Sequence, residues 1–419
     1  MPIPAWALLL AFVALAPATS RAQEPVAAAD PAQASTPDAL VETTDVFDLL
    51  RRLRHKELPP DAAWDYRKPM KAFAPVIGAK PANGVLLGVA GNVAFYRGEP
   101  ATTHISSAIA TLTFSTKGQT SLTDRFTIFT RDDRWRIEGD QRAQWTSLET
   151  HGLGTSADTS VGVQTEFDYF RLHQTVYYGL RPGLFAGSGL YFDNHIDVGP
   201  REGEEGSWAD SPYVEYSEVH GLPLDAQGSA GVSLDLLWDN RDSFINPDRG
   251  WYAKAGYRVM LEGFLGADSD WQRLTFDVRR YRKISADGRH KLAFWTFADL
   301  VVAGAAPYPD LPGTGLDTYG RSARGYGEGQ FRGERLAYGE VEYRGVLTRN
   351  GLIGMVAFLN TTTTTNLLED ERLFDSFATG GGAGLRLLIN KRSKTNLCFD
   401  VGFGKQGSKG VYVAVQEAF

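Results

Sequence analysis

Histidine, cysteine and the one serine set among glycines are where catalytic chemistry would show first in this chain. The 7 histidines, His55, His104, His151, His173, His195, His220 and His290, never fall at the H-x-x-x-H or H-E-x-x-H spacing that places two imidazoles around a metal. Gly320-Arg321-Ser322-Ala323-Arg324-Gly325 misses the G-x-S-x-G nucleophile elbow by one residue and lacks its strand–turn–helix setting. Gly325, Gly327 and Gly329 alternate, but no helix follows to receive a phosphate. Cys398 is the sole cysteine, which excludes intrachain disulfides, zinc ribbons and thiol redox pairs. The acidic stretch of Glu202, Glu204, Glu205 and Asp210 reads as solvated loop charge. A hydrolase would need serine or aspartate beside His173, His195 or His290 at one height of the fold, and the sequence does not obviously supply such a group. No metal, no cofactor and no enzymatic activity are expected.

The remaining chemistry is charge carried on strand faces. Ala230, Val232, Leu234, Leu236 and Trp238 alternate with Gly231, Ser233 and Asp235. Trp251, Ala253, Ala255, Tyr257 and Val259 alternate with Tyr252, Lys254, Gly256 and Arg258. Val341, Tyr343 and Leu347 alternate with Glu340, Glu342 and Arg344, so the two glutamates share a face. Such strands of about ten residues recur without helix between them, with charges in mid-strand and aromatics near the ends. That pattern predicts an all-β, transmembrane antiparallel β-barrel with a wet lumen. Composition agrees: of 419 residues, 45 are Gly, 23 Phe and 17 Tyr. A mean hydropathy of −0.25 excludes a bundle of transmembrane helices. The net charge of −7 argues against a nucleic-acid partner.

Residues 5–16 form an apolar core of signal-peptide length, and Ser20-Arg21-Ala22 offers a cleavage site before Gln23. We therefore expect a signal peptide over 1–22. A disordered segment over 23–64 follows, with a short amphipathic helix capped by Asp45 and carrying Val46, Leu49, Leu50 and Leu53 on one side. The barrel is expected over 65–419 in about 16 strands. Counted from the first strand, the long connections 147–163, 198–225, 304–333 and 361–378 all fall at one end. The tight turns at Arg131-Asp132-Asp133, Arg181-Pro182-Gly183 and Arg349-Asn350 fall at the other. The last strand, read as 410–419, places Val411, Val413, Val415 and Phe419 on one face. Phe419 looks like the aromatic outer-membrane targeting signal read by the barrel-assembly machinery.

Two stretches are more specific. Asp239-Asn240-Arg241-Asp242, followed by Pro247 and Gly250, resembles the D-x-R-D…P-x-x-G periplasmic turn of the bacterial surface antigen superfamily, which includes the outer-membrane assembly factors BamA and TamA. Arg324-Gly325-Tyr326 is similar to that family's R-G-F/Y loop motif, and five predicted strands follow it here as there. The resemblance implies a loop folded back into the lumen, its arginine docked on the wall, with Glu340 and Glu342 as partners. The family's F-x-D-x-G stretch matches Phe358-Leu359-Asn360-Thr361-Thr362, where Asn360 replaces the acid. Residues 23–70 are too few for a POTRA module, so a barrel-only member is expected. The resemblance further implies bacterial outer-membrane residence among lipid and lipopolysaccharide, a role in inserting or translocating a client protein or lipid, and contact with the assembly machinery during biogenesis. A passive pore or structural barrel with a lumen-plugging loop is the alternative.

Overall fold

The structure is a computed structural model that describes residues 43–55, 65–80, 84–160, 162–203, 205–318 and 320–419. The expected signal peptide and most of the 23–64 segment lie outside the described residues. Among the described residues, sixteen strands follow the helix Val46–Leu53, and a further helix, Pro212–His220, lies in the connection between the seventh and eighth strands. They are β1 (Met70–Lys80), β2 (Gly84–Phe95), β3 (Ser106–Ser115), β4 (Thr120–Phe129), β5 (Trp135–Thr150) and β6 (Val163–Arg181). Next come β7 (Leu184–Pro200), β8 (Gln227–Asp239), β9 (Gly250–Met260), β10 (Trp271–Lys283) and β11 (His290–Gly304). The last five are β12 (Arg335–Val346), β13 (Ile353–Thr364), β14 (Ala378–Asn390), β15 (Thr395–Phe403) and β16 (Lys409–Val415). Each strand pairs antiparallel with its sequence neighbours, and β1 meets β16 to close the barrel.

Alternation sets what faces out. On β13, Phe358 and Asn360 are 5 % and 2 % exposed while Leu359 between them is 58 % exposed. Phe73, Leu87, Leu122, Leu172, Leu234, Phe294, Leu385 and Phe399 are likewise exposed on the outer surface. This inverted pattern, apolar outside and charged inside, is that of a transmembrane β-barrel. The connections sort by length as expected, with 151–162, 201–226, 305–334 and 365–377 at the long-loop end. Helix α1 (Val46–Leu53) sits at the short-turn end with Asp45 as its N-cap in a capping box, and Lys391 N donates to the Asp45 carboxylate (2.9 Å).

The β8–β9 connection is a loop over 240–249. Two expectations are corrected. β16 stops at Val415, because Gln416 adopts φ 74° and reverses the chain. Phe419 therefore does not share an outer face with Val411: it is buried in the lumen, 5.2 Å from the Trp295 ring and 6.2 Å from Tyr281. The physical cause is Glu417, which interrupts the apolar repeat. Its carboxylate accepts from Arg386 Nε and from Asn396 Nδ2, each at 2.7 Å, and so draws the tail inward.

The closure is uneven. β1 and β2 run paired from Met70–Ala94 to Lys80–Gly84, and β15 and β16 from Leu397–Val415 to Phe403–Lys409. Among the described residues, the ladder between β1 and β16 pairs Ala79 with Val411 alone. Below that point Ala72 and Ala74 of β1 pack with Ile389 and Val415, and Phe47 of α1 lies against the cluster. Apolar packing replaces a ladder there.

Candidate functional site

The loop over 305–334 enters the lumen, and its Arg324 is 1 % exposed. Its Nη1 donates to Asp400 Oδ2 at 2.7 Å, and its Nη2 to Glu340 Oε1 at 2.5 Å and to Glu342 Oε2. The guanidinium lies 3.7 Å from the centre of the Phe358 ring, a close cation–π contact. Arg324 therefore docks on β12, β13 and β15 together.

The carboxylates are themselves held. Glu340 accepts from Tyr338 Oη (2.5 Å) and Glu342 from Arg344 Nε (2.6 Å). Arg386 Nη1 bonds Asp400 Oδ1 (2.5 Å), and Arg344 Nη2 donates to the Phe419 carbonyl (2.9 Å). Arg324, Arg344 and Arg386 thus face Glu340, Glu342, Asp400 and Glu417 in one buried network. Charged groups survive burial when paired with opposite charges in this way, although Arg324 Nε and Arg344 Nη1 keep no hydrogen-bond partner among the described residues. Asn360 keeps a supporting place, with Nδ2 donating to the Arg324 carbonyl at 3.0 Å.

Close backbone approach explains the glycine of the motif. Gly325 has φ +114°, and a Cβ there would sit 2.7 Å from the Phe403 carbonyl oxygen. On the wall, a Cβ on Gly402 would sit 2.7 Å from Gly325 N. Tyr326 completes the dock: its hydroxyl donates to the Thr379 carbonyl (2.5 Å) and accepts from Lys405 N (2.9 Å). Arg321 adds a second anchor, its guanidinium donating to the carbonyls of Val415 (3.0 Å), Gln416 (2.7 Å) and Glu417.

The other motif closes the short-turn end. Asp239 accepts a fork from Arg241, Nε at 2.8 Å and Nη2 at 2.7 Å, and a third bond from Arg136 Nη1 at 2.8 Å. Asp242 accepts from the backbone N–H of Asp248 (2.9 Å) and Arg249 (3.2 Å), which folds the loop over buried Pro247. Gly250, at φ +113°, lies against Arg241, where a Cβ would come within 2.6 Å of its Cα. Asp248 then reaches Lys291 Nζ at 2.8 Å and Lys394 Nζ at 2.9 Å. Burial alone would push its carboxyl up, but the two ammonium groups outweigh it and hold it down at about 2.

The structure thus brings Arg324, Glu340, Glu342 and Asn360 together, and separately Asp239, Arg241, Asp242, Pro247 and Gly250. Phe419 lies under the first group, against Arg344. Asp400, Arg386, Glu417, Arg321 and Asp248 were missed. The available signal for Asp400 was its parity, an acid in mid-strand on the inner face of β15. Beside the lumen loop lie two cavities. One of about 470 Å³ opens between the loop and the wall of β2–β7 and β16 toward the long-loop end. A second of about 180 Å³ lies nearer the short turns, bordered by Gln416–Phe419.

No known family profile and no curated protein matches the sequence. Solved structures do match the fold. BamA from Haemophilus ducreyi lacking POTRA domains 1–3 superposes with a TM-score of 0.53 at 11 % identity, over 83 % of this chain and 70 % of that one. CdiB from Acinetobacter baumannii gives 0.52 at 10 %, over 83 % and 59 %. CdiB from Escherichia coli gives 0.53 at 11 %, over 86 % and 63 %. The chain spans less than two thirds of either CdiB, and at such identity the likeness is one of fold.

Proposed function

We propose that this chain is an outer-membrane barrel that aids insertion or translocation of protein or lipid, with its long-loop end outside and its short-turn end in the periplasm. The observation that carries the reading is the seam. An unpaired strand edge is a template for another strand, and β1 offers most of its length because β16 meets it at one residue pair. A ladder hydrogen bond contributes about 0.5–1.5 kcal/mol, so opening this seam costs far less than parting any other neighbours. The Arg324 network keeps the lumen loop seated on β12–β15 while the seam moves. Likeness in fold to BamA and CdiB supports the reading. Its partners are membrane lipid and lipopolysaccharide, a client protein, and the assembly machinery that grips Phe419 before the tail tucks inside. It assigns no catalysis.

A cysteine pair at Ala79 and Val411, in a Cys398→Ala background, tests it. Oxidising the pair in cells should deplete the client or lipid from the outer membrane while the barrel's own level stays constant. Unchanged outer-membrane composition, with steady ion conductance, would instead establish a passive open pore.

A further inference from the structure

We infer that the 470 Å³ cavity at the long-loop end is a binding site for an anionic oligosaccharide, a chain of hydroxyl-bearing rings carrying a carboxylate or phosphate. The volume falls in the range of small-ligand sites. Buried polar atoms are nearly always paired, yet on residues that line this cavity three, each just beneath its surface, have no hydrogen-bond partner among the described residues: Gln119 Oε1, Thr165 Oγ1 and His195 Nδ1. They lie along one stretch of wall. Thr165 and Tyr169 share the inner face of β6, His195 is the ladder partner of Tyr169, and Gln119 Nε2 donates to Ser147 (2.6 Å), which is paired to Glu166. Four residues of strand span about 13 Å.

The chemistry of the lining selects the ligand. A hydroxyl both donates and accepts at one atom, so it satisfies an amide oxygen, a side-chain hydroxyl and an imidazole nitrogen of either tautomer. The Tyr169 and His195 rings are stacked 4.3 Å apart at 8°, with Phe167 edge-on to His195 at 5.4 Å. Of the three rings, half-buried Phe167 offers an apolar surface for the C–H side of a sugar ring. Arg332, 3 % exposed, donates to the Tyr308 carbonyl (2.5 Å) and forms no ion pair among the described residues. A guanidinium so placed favours a carboxylate or phosphate on the ligand. An extended polypeptide would seek a free strand edge; the wall of Thr165, Tyr169 and His195 offers none, since β5–β7 are paired on both sides, and only Lys409–Tyr412 of β16, across the cavity, lie at the seam. The loop over 151–162 roofs the cavity, tied across by Lys405 Nζ to the Thr155 carbonyl (2.7 Å) and by Ser156 Oγ to Glu371 (2.6 Å).

The test is calorimetry on the full chain in lipid nanodiscs, with trigalacturonic acid, neutral maltotriose and triaspartate as probes. Trigalacturonic acid should bind about tenfold tighter than maltotriose, the worth of one charge-assisted hydrogen bond. Thr165→Val and His195→Phe keep shape and ring while removing the polar atom, and each should weaken binding about fivefold with heat-modifiable gel mobility retained. Rough-type lipopolysaccharide in the nanodisc should compete if the sugar is lipid-anchored, and should leave binding unchanged if the glycan is soluble. Absence of sugar binding at millimolar concentration, or wild-type affinity in both variants, would overturn the site. Triaspartate binding as tightly as the sugar would overturn the ligand class in favour of a polypeptide.

Discussion

Two loops stopper the barrel, and their charges are inverted. The loop over 305–334 brings a cation, Arg324, to a wall of carboxylates. The loop over 240–249 brings an anion, Asp248, to Lys291 and Lys394. The first contact is dry, with the Glu340 and Glu342 side chains 0 % exposed, whereas Asp248 keeps 23 % of its side chain in solvent. A guanidinium does not titrate and, buried, is scarcely screened by salt. A carboxylate against lysines at a rim answers to both. The difference teaches that the long-loop stopper is built as a permanent lock and the short-turn stopper as an adjustable one.

Arg324→Ala should produce the largest effect. It leaves Glu340 and Glu342 buried beside each other, a loss of about 3–5 kcal/mol. Proteinase K added from the long-loop side should then cut within 305–334, and ion leakage should rise while the barrel keeps its heat-modifiable mobility. Equal resistance in wild type and variant would mean that the network does not hold the loop. Glu342→Gln should act in the same direction more weakly, by about 1.5–3 kcal/mol, because the amide oxygen still accepts. The double variant should lose less than the sum of the singles, since both remove one interaction.

The rim contact sharpens the comparison through pH. The Asp248 carboxyl is depressed in the folded chain to about 2, so its contribution is complete above the unfolded value near 4 and is lost as pH falls through about 2. Between pH 6 and pH 3 the wild type should lose more thermal stability than Asp248→Asn, by about 1 kcal/mol at most. An identical loss in both would remove Asp248 from the rim's energetics. Salt should give the smallest effect. Raising it from about 0.1 M to about 1 M shortens the screening length from ~10 to ~3 Å, which should loosen 240–249 and leave protease resistance of 305–334 unchanged.

Period-two alternation made the wall legible, since each inward charge and outward leucine is a local fact of one strand. Loop lengths then gave the two ends, and the arginine motif gave the loop that turns inward. What remained hidden was set by contacts between distant residues. Asp400 lies 76 positions from Arg324; its parity marks it as an inward acid of β15, but not as the partner of Arg324. The tail misled because Val411, Val413 and Val415 continue the alternation, and one glutamate had to be weighed against three valines. Its pull inward depends on Arg386 and Asn396, which only the closed barrel brings near. The single-pair seam was equally unreadable, because register between first and last strands is a property of closure.

Arg321 gives the lumen loop a mechanical role. By holding the carbonyls of Val415, Gln416 and Glu417, it couples the end of β16 to a loop that Arg324 bolts to the opposite side of that strand's own neighbour. Tension drawn along β16 is therefore not borne by the β15 ladder alone. It passes through Arg321 into the loop and from there into β12, β13 and β15, which makes the loop a brace that shares the load whenever the last strand is pulled.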